Sequence, residues 1–402
     1  MLLYVHYLLR MLRNACCVII LRGMKNPFEY GGVVGGTAFC NRKQEVTDLT
    51  RAMANSEKLF LYSERRLGKT SLIHSALSTL SRNDYATTYV DLWATDGEAS
   101  FVTATAKAIT ESLGRNTEQL LETAKRLFTR LAPSVTVDSE GQPKIAFGMS
   151  SDRTPDPELE EVLQAPMKIA TQGRKRVAVV FDEVQRILEY GDDRVERRLR
   201  SIIQKQEAVS YIFLGSRKHL IQQMFLDKSR PLYRSAGHYP LGAISSVDWL
   251  PFIAAKFRDA EKQISDEVIL EVCQLTEGHP FYTQHLCHAL WEQCDVGGTV
   301  TPALIKTGVK LLLERESYAY TAMWESLPLS QRRFLRGLAL SARGVKPFSA
   351  EFLRIHHVGS ASSAQRAAQG LLHRDLIDRD NGSFLITDRF FRIWIRQLDS
   401  FP

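Results

Sequence analysis

The sequence predicts an α/β chain in three parts: a parallel five-stranded α/β core, a helical lid and a C-terminal winged helix-turn-helix domain. Three observations carry this. The apolar run 59–62 passes through Ser63-Glu64-Arg65-Arg66-Leu67-Gly68-Lys69-Thr70-Ser71 into a helical segment, and strand, loop, helix is the order of a P-loop, a phosphate cradle. Continuous apolar runs separated by helical segments indicate a parallel sheet buried on both faces. Near the C-terminus, three short helical segments precede two apolar runs that flank Asp380-Asn381-Gly382, the order of a winged helix.

Taken in order, residues 39–55 have helical spacing, with Val46, Leu49, Ala52 and Met53 on one face. The first strand, 59–62, follows, and its loop turns into a helix over 71–80. Strands are expected at 87–92, at 177–181 ending in Asp182-Glu183, at 210–214 ending in Gly215-Ser216-Arg217, and at 239–244, with helices at 101–113 and 195–206 between them. Lys69 and Asp182 are 113 positions apart, more than a minimal core needs, so an insertion is expected at about 115–155. Within it, Val135-Thr136-Val137 and Lys144-Ile145-Ala146-Phe147 flank Ser139-Glu140-Gly141-Gln142, a hairpin signal. Residues 247–318 read as helical throughout, with one stop and restart at Thr276-Glu277-Gly278-His279-Pro280, where proline suits the first turn of a new helix. Helices at 330–341, 349–356 and 362–374 and the hairpin complete the chain. The expected domains are an N-terminal extension at 1–23, the core at 24–246, the lid at 247–317 and the winged helix at 318–402.

Composition excludes several classes. At 402 residues, 44% hydrophobic and 24% charged, the chain is long enough for two or three cores and is neither disordered nor collagen-like. Its most apolar stretch, 1–21, is interrupted by His6, Arg10, Arg13 and Asn14, which argues against a membrane span, and it lacks the pattern of a signal peptide. It reads as an amphipathic extension, with Met24 as an alternative start. Six cysteines without a C-x-x-C pair fit a reducing cytoplasm. His285, Cys287, His288 and Cys294 fall on opposite faces of one helix and cannot all reach one metal ion. The net charge is +7, and residues 318–402, with 12 basic and 7 acidic residues, hold most of the excess. That excess suits a basic surface for nucleic acid and equally a solvated domain.

The chemistry concentrates at strand ends. Backbone N–H groups of residues such as Arg66, Leu67, Gly68 and Ser71, with a helix N-terminus, can surround phosphates, while Lys69 neutralises the outer ones and the Thr70 hydroxyl holds Mg²⁺. Ser63 stands where such loops usually carry their first glycine. Asp182 at the end of a buried strand would orient Mg²⁺ with Thr70, and Glu183 would activate water. Arg217 would sense the γ-phosphate, the alternative being a surface arginine at a helix start. Arg230 and Arg234 are candidates for a finger acting across a subunit boundary. These residues together point to ATP binding with slow Mg²⁺-dependent hydrolysis to ADP and phosphate.

Asn26-Pro27-Phe28, the loop with Arg65-Arg66, Phe181-Asp182-Glu183-Val184-Gln185, Gly215-Ser216-Arg217, Arg230-Pro231-Leu232-Tyr233 and Gly278-His279-Pro280 together resemble the archaeal-type P-loop ATPases of the STAND branch of AAA+-related NTPases. The resemblance covers about residues 24–400. The segment Thr387-Asp388-Arg389-Phe390-Phe391-Arg392-Ile393-Trp394 resembles the closing motif of that family, from which Arg389 and Phe390 depart. The resemblance implies an AAA+-like core with nucleotide at its junction with the lid and winged helix. It implies that Pro280 and His279 touch adenine or ribose and that Asn26 and Phe28 close over the base. The plain alternatives are a helix-capping residue facing solvent for His279 and an N-terminal strap for Asn26 and Phe28.

Two roles follow. In one, ATP drives a conformational or assembly switch, with a homo-oligomer and a protein as partners. In the other, the winged helix grips duplex DNA through Ser363, Arg366 and Gln369 on the polar side of its third helix.

Overall fold

Strands with apolar residues at successive positions have no face to give to water, and they take interior places in the sheet. The computed structural model describes residues 25–398 except 82, 115, 138–140, 142, 149–155, 174, 343 and 381; the expected extension at 1–23 lies outside them. Helix α1 (Lys43–Ala54) leads to β1 (Lys58–Tyr62), α2 (Lys69–Thr79) and β2 (Tyr85–Asp91). Then come α3 (Glu98–Leu113), α4 (Thr117–Leu127), the hairpin β3 (Ala132–Val137) and β4 (Pro143–Gly148), and α5 (Asp156–Gly173). The core closes with β5 (Arg176–Asp182), α6 (Arg194–Ile203), β6 (Val209–Gly215), α7 (Lys218–Leu226) and β7 (Gly237–Pro240).

The sheet order is β2-β5-β6-β1-β7, and every pairing is parallel. All of β6 and all but Arg176 of β5 are buried. Phe60 of β1 stacks on Phe225 of α7 at 4.6 Å, and Phe101 of α3 stacks on Phe181 of β5 at 5.7 Å; both strand residues are in register with Phe213 of β6, so these helices cover one face with a continuous aromatic cluster. Because the strands are parallel, the segments that leave β1, β5 and β6 emerge on one edge, where open α/β sheets bind ligands.

The chain continues through α8 (Ser246–Arg258), β8 (Gln263–Ile264), α9 (Asp266–Thr276), α10 (Pro280–Gln293), β9 (Thr299–Val300) and α11 (Pro302–Glu325). It then forms α12 (Leu329–Leu340), α13 (Ala350–Ile355), α14 (Ala361–His373), the antiparallel hairpin β10 (Ile377–Asp380) and β11 (Ser383–Ile386), and finally α15 (Arg389–Gln397). The hydroxyls of Ser245, Ser265, Thr301, Ser349 and Ser360 each accept a backbone N–H at a helix start, which fixes where α8, α9, α11, α13 and α14 begin. No helix among the described residues is long and apolar enough to cross a membrane.

By contact the chain forms two compact units. One comprises residues 42–242 and 327–388, the sheet with the three-helix and hairpin segment. The other comprises, among the described residues, 25–41, 243–326 and 389–398, and its longer elements are all helices. The parallel five-stranded sheet and the winged helix predicted from sequence are both present.

Four details differ from the sequence reading. The first helix starts at Lys43 and not near residue 39, because Asn41 and Arg42 take left-handed φ values of 48° and 68°. The last sheet strand ends at Pro240, opposite Tyr62 where β1 itself ends, with one further bond from the Leu241 N–H to the Tyr62 carbonyl at 3.0 Å, and does not reach residue 244. Residues 247–318 are not helical throughout: β8 pairs with β9 in parallel, and left-handed turns at Glu261 and Gly297 break the helices beside them. The closing segment, read only as a motif, is helix α15.

Candidate functional site

The turn after β1 is set by its backbone. Gly68 sits at φ 88°, in the left-handed region that glycine enters without penalty, and directly precedes α2. Arg66 holds φ 60°, whereas Ser63 stays out of the left-handed region, so a side chain is tolerated where a glycine is usual. The Lys69 ammonium is buried and donates to Ser63 Oγ at 2.9 Å and to the Glu64 carbonyl at 3.2 Å. Burial pushes it below the usual lysine range, opposed by the charges of Glu183, Asp182, Asp378 and Glu64. A buried cation whose two hydrogen-bond acceptors are uncharged, beside the N-terminus of α2, fits an anionic phosphate.

Across the sheet edge, Asp182 ends β5. Its Oδ1 accepts from the Glu183 backbone N–H at 2.8 Å. Its Oδ2 accepts from Thr70 Oγ1 at 3.2 Å and from the Tyr89 hydroxyl. Burial and the adjacent Asp182 charge push the Tyr89 hydroxyl above its usual range, so it stays a donor. A hydroxyl and a carboxylate oxygen thus converge, a donor set suited to a hard cation such as Mg²⁺.

Glu183 takes a left-handed φ of 53° and its Oε2 accepts from Ser216 Oγ at 2.8 Å and from the Gln185 amide. Gly215 makes room for this: a Cβ there would lie 2.3 Å from Ile221 and 2.4 Å from Gln185 Oε1. Arg217 is ion-paired with Asp375 at 2.9 Å and with Glu189 at 3.5 Å. Beside it, His219 Nδ1 lies 3.2 Å from Asp378 Oδ1, and a cleft is lined by Arg65, Trp93, Ser216, Arg217 and Asp378. Tyr89, Asp375 and Asp378 were not singled out from sequence, and Gln185 was read only within the motif that follows Asp182; a tyrosine inside a strand and acids in and just before a hairpin have no spacing that marks them.

The two finger candidates differ in setting. Arg230 is ion-paired with Glu196 of α6, which is fully buried. Arg234 is exposed, and its guanidinium lies 5.3 Å from the Tyr233 ring centre.

The remaining residues assigned by resemblance belong to the other unit. Asn26 Nδ2 donates to Glu292 Oε1 at 2.8 Å and to the His288 carbonyl at 3.2 Å, and Phe28 is buried 5.4 Å from Phe257. His279 occupies the N-cap position of α10 without a side-chain capping bond, and it is fully buried and not turned to solvent, because its ring packs 4.8 Å from Tyr282. Pro280 opens α10. The preceding Gly278 has φ 64°, and a Cβ there would meet the Ile244 carbonyl at 2.3 Å. Arg389 and Phe390, the two departures from the closing motif, both pack here. Arg389 and Arg392 bridge the two oxygens of Glu277 at 3.0 Å and 2.7 Å, and Phe390 meets Tyr282 edge-on at 5.2 Å. On α14, Arg366 and Gln369 are exposed and Ser363 is half-buried, its N–H capped by Ser360 Oγ at 3.2 Å.

Residues 318–397 match a family described as a probable winged helix domain. Among solved structures, a Walker-type ATPase of Pyrococcus abyssi is 16% identical with a TM-score of 0.63, covering 92% of this chain and 99% of that one. The ORC2 protein of Aeropyrum pernix, solved in ADPNP and ADP complexes, is 12% identical with a TM-score of 0.52, covering 94% and 99%. At these identities the likeness is one of fold. No curated protein sequence is a significant match. Residues 39–286, more than half of the chain and inclusive of the P-loop, Asp182 and the 276–280 turn, match the ATPase domain found predominantly in Archaea, and the chain belongs to that family.

Proposed function

We propose that this protein binds ATP and hydrolyses it slowly with Mg²⁺, and that the nucleotide state sets its conformation or assembly. In this reading the P-loop segment Ser63, Arg66, Leu67, Gly68 and Ser71 cradles the phosphates, Lys69 holds the β- and γ-phosphates, Thr70 and Asp182 hold the metal, and Glu183 orients the attacking water. Mg²⁺ supplies neutralisation of phosphate charge. The STAND-type reading rests on one observation: Arg217, the γ-phosphate sensor of this scheme, is ion-paired with Asp375 of the winged-helix segment at 2.9 Å. A γ-phosphate and Asp375 would compete for one guanidinium, which gives the triphosphate a differential interaction with two states.

The pair is about one-third exposed on each side, so its strength is that of a surface bridge, up to about 1 kcal/mol. Asp375→Asn is therefore expected to improve ADPNP affinity relative to ADP by about two- to fivefold. Calorimetric titration of both nucleotides, with light scattering on the same samples, measures this. An unchanged ratio, together with identical scattering in ADP and ADPNP, counts against the switch.

A second reading, a DNA-associated ATPase, is favoured by the exposed Arg366 and Gln369 on α14. Arg366→Ala should then weaken duplex DNA binding and lower its salt slope by about one while ATP binding is kept. A gel shift that is absent, or insensitive to salt, sinks this reading.

A further inference from the structure

We propose that Tyr89 is a positioning residue for the metal: its hydroxyl aims the Asp182 carboxylate at the place beside Thr70 where Mg²⁺ binds. The inference rests on the nucleotide reading of the site and names a residue outside the motifs that suggested it.

The argument is geometric. Tyr89 lies on β2, in register with Val180 of β5, two positions before Asp182. From that place its hydroxyl reaches across to Asp182 Oδ2, the same oxygen that accepts from Thr70 Oγ1 at 3.2 Å. The other oxygen is already held by the Glu183 N–H at 2.8 Å. With donors on both oxygens the carboxylate has one orientation, and Oδ2 faces the Thr70 hydroxyl. The ring itself is fixed: it is half-buried and lies 4.9 Å from the His74 ring of α2. Thr70 and Tyr89 together engage both lone-pair sites of Oδ2, so the Thr70 proton stays on Asp182 and the Thr70 oxygen keeps its own lone pair for a hard cation, while Oδ1 keeps one beside its bond from the Glu183 N–H. Loss of a partner that orients a metal-binding carboxylate typically costs about 10- to 100-fold in metal affinity.

The alternative is that the Tyr89 hydroxyl merely caps a buried carboxylate. The two differ in what removal of one oxygen atom does. Tyr89→Phe keeps the ring and its contact with His74. If Tyr89 positions the metal, the Mn²⁺ concentration that half-saturates the variant with ADPNP, followed by electron paramagnetic resonance of free Mn²⁺, rises about 10- to 100-fold. ADPNP affinity in EDTA and the melting temperature without metal stay within error of the wild type. Tyr211→Phe removes another buried hydroxyl from the same sheet, one that donates to Gln206 Oε1 at 2.5 Å, and serves as the control with unchanged Mn²⁺ dependence.

A half-saturation that is unchanged or lower in Tyr89→Phe, with a metal-dependent wild type, overturns the role of Tyr89 and leaves the nucleotide site standing. A parallel loss of ADPNP affinity in EDTA overturns it too, since the effect would then be on the phosphate cradle. A wild type that binds ADPNP no better with Mn²⁺ than in EDTA overturns both the metal assignment and this inference.

Discussion

Glu183→Gln is expected to lower ATP turnover by about 10²- to 10⁴-fold while leaving ADPNP affinity within about twofold. The size follows from the role: an oriented general base contributes about 3 to 5.5 kcal/mol to the barrier, and the amide keeps the shape of the carboxylate without its basicity. The side chain is held in place by Ser216 Oγ at 2.8 Å and by the Gln185 amide. Because Gly215 leaves room for Gln185, that support survives an isosteric change. Phosphate release by both proteins, with and without duplex DNA at two salt concentrations, is the measurement. A loss of less than tenfold would remove Glu183 from the chemistry. Stimulation by DNA that vanishes with salt would favour the DNA-associated reading, and hydrolysis indifferent to DNA would favour the switch.

The second large effect concerns stability. Glu196 is completely buried and its carboxylate is ion-paired with Arg230, which is about one-quarter exposed. Removing the arginine strands a charge inside α6, and breaking such a pair costs about 3 kcal/mol or more. For a unit of this size Arg230→Met should lower the melting temperature by about 6 to 12 °C. The double variant Glu196→Gln, Arg230→Met should recover much of the loss, because an uncharged pair carries no stranded charge. Thermal denaturation of the three proteins tests this. A melting temperature unmoved in Arg230→Met, with reduced turnover, would instead speak for a finger acting on a neighbouring subunit.

The contrast between Arg230 and Glu196 shows where sequence reading stops. Strands β5 and β6 were legible because every position is apolar, and a run with no polar face has few places to go. The turn before Lys69 was legible because Gly68, Lys69 and Thr70 are neighbours whose spacing is itself the signal. Helices were expected at 349–356 and 362–374, and the hydroxyls of Ser349 and Ser360 set the starts of α13 and α14 at Ala350 and Ala361. What local pattern cannot carry is partnership across the chain. Arg217 meets Asp375, 158 positions away, and Arg389 meets Glu277 across 112. Nothing in the spacing of either residue announces the other. Likewise β8 and β9, two residues each, are too short for any periodicity, and the left-handed turns that make them possible depend on Glu261 as much as on Gly297. At the candidate site Lys69 at a helix start and Asp182 and Glu183 at a strand end could be read from pattern, while Tyr89, which holds the Asp182 carboxylate, could not.

The helical unit draws on the residues before Arg42, the middle of the chain and its last helix, with Glu277 bridged by Arg389 and Arg392. During synthesis residues 42–242 are complete, and able to collapse around β5 and β6, while Glu277 has yet to be made. For the roughly 110 residues that follow it on the ribosome, that carboxylate and the Tyr282 ring wait for α15. A chain released between residue 242 and Arg389 therefore has every strand of its sheet while its helical unit cannot close, with the apolar face meant for Phe390 and Phe391 left open to whatever chaperone or protease arrives first.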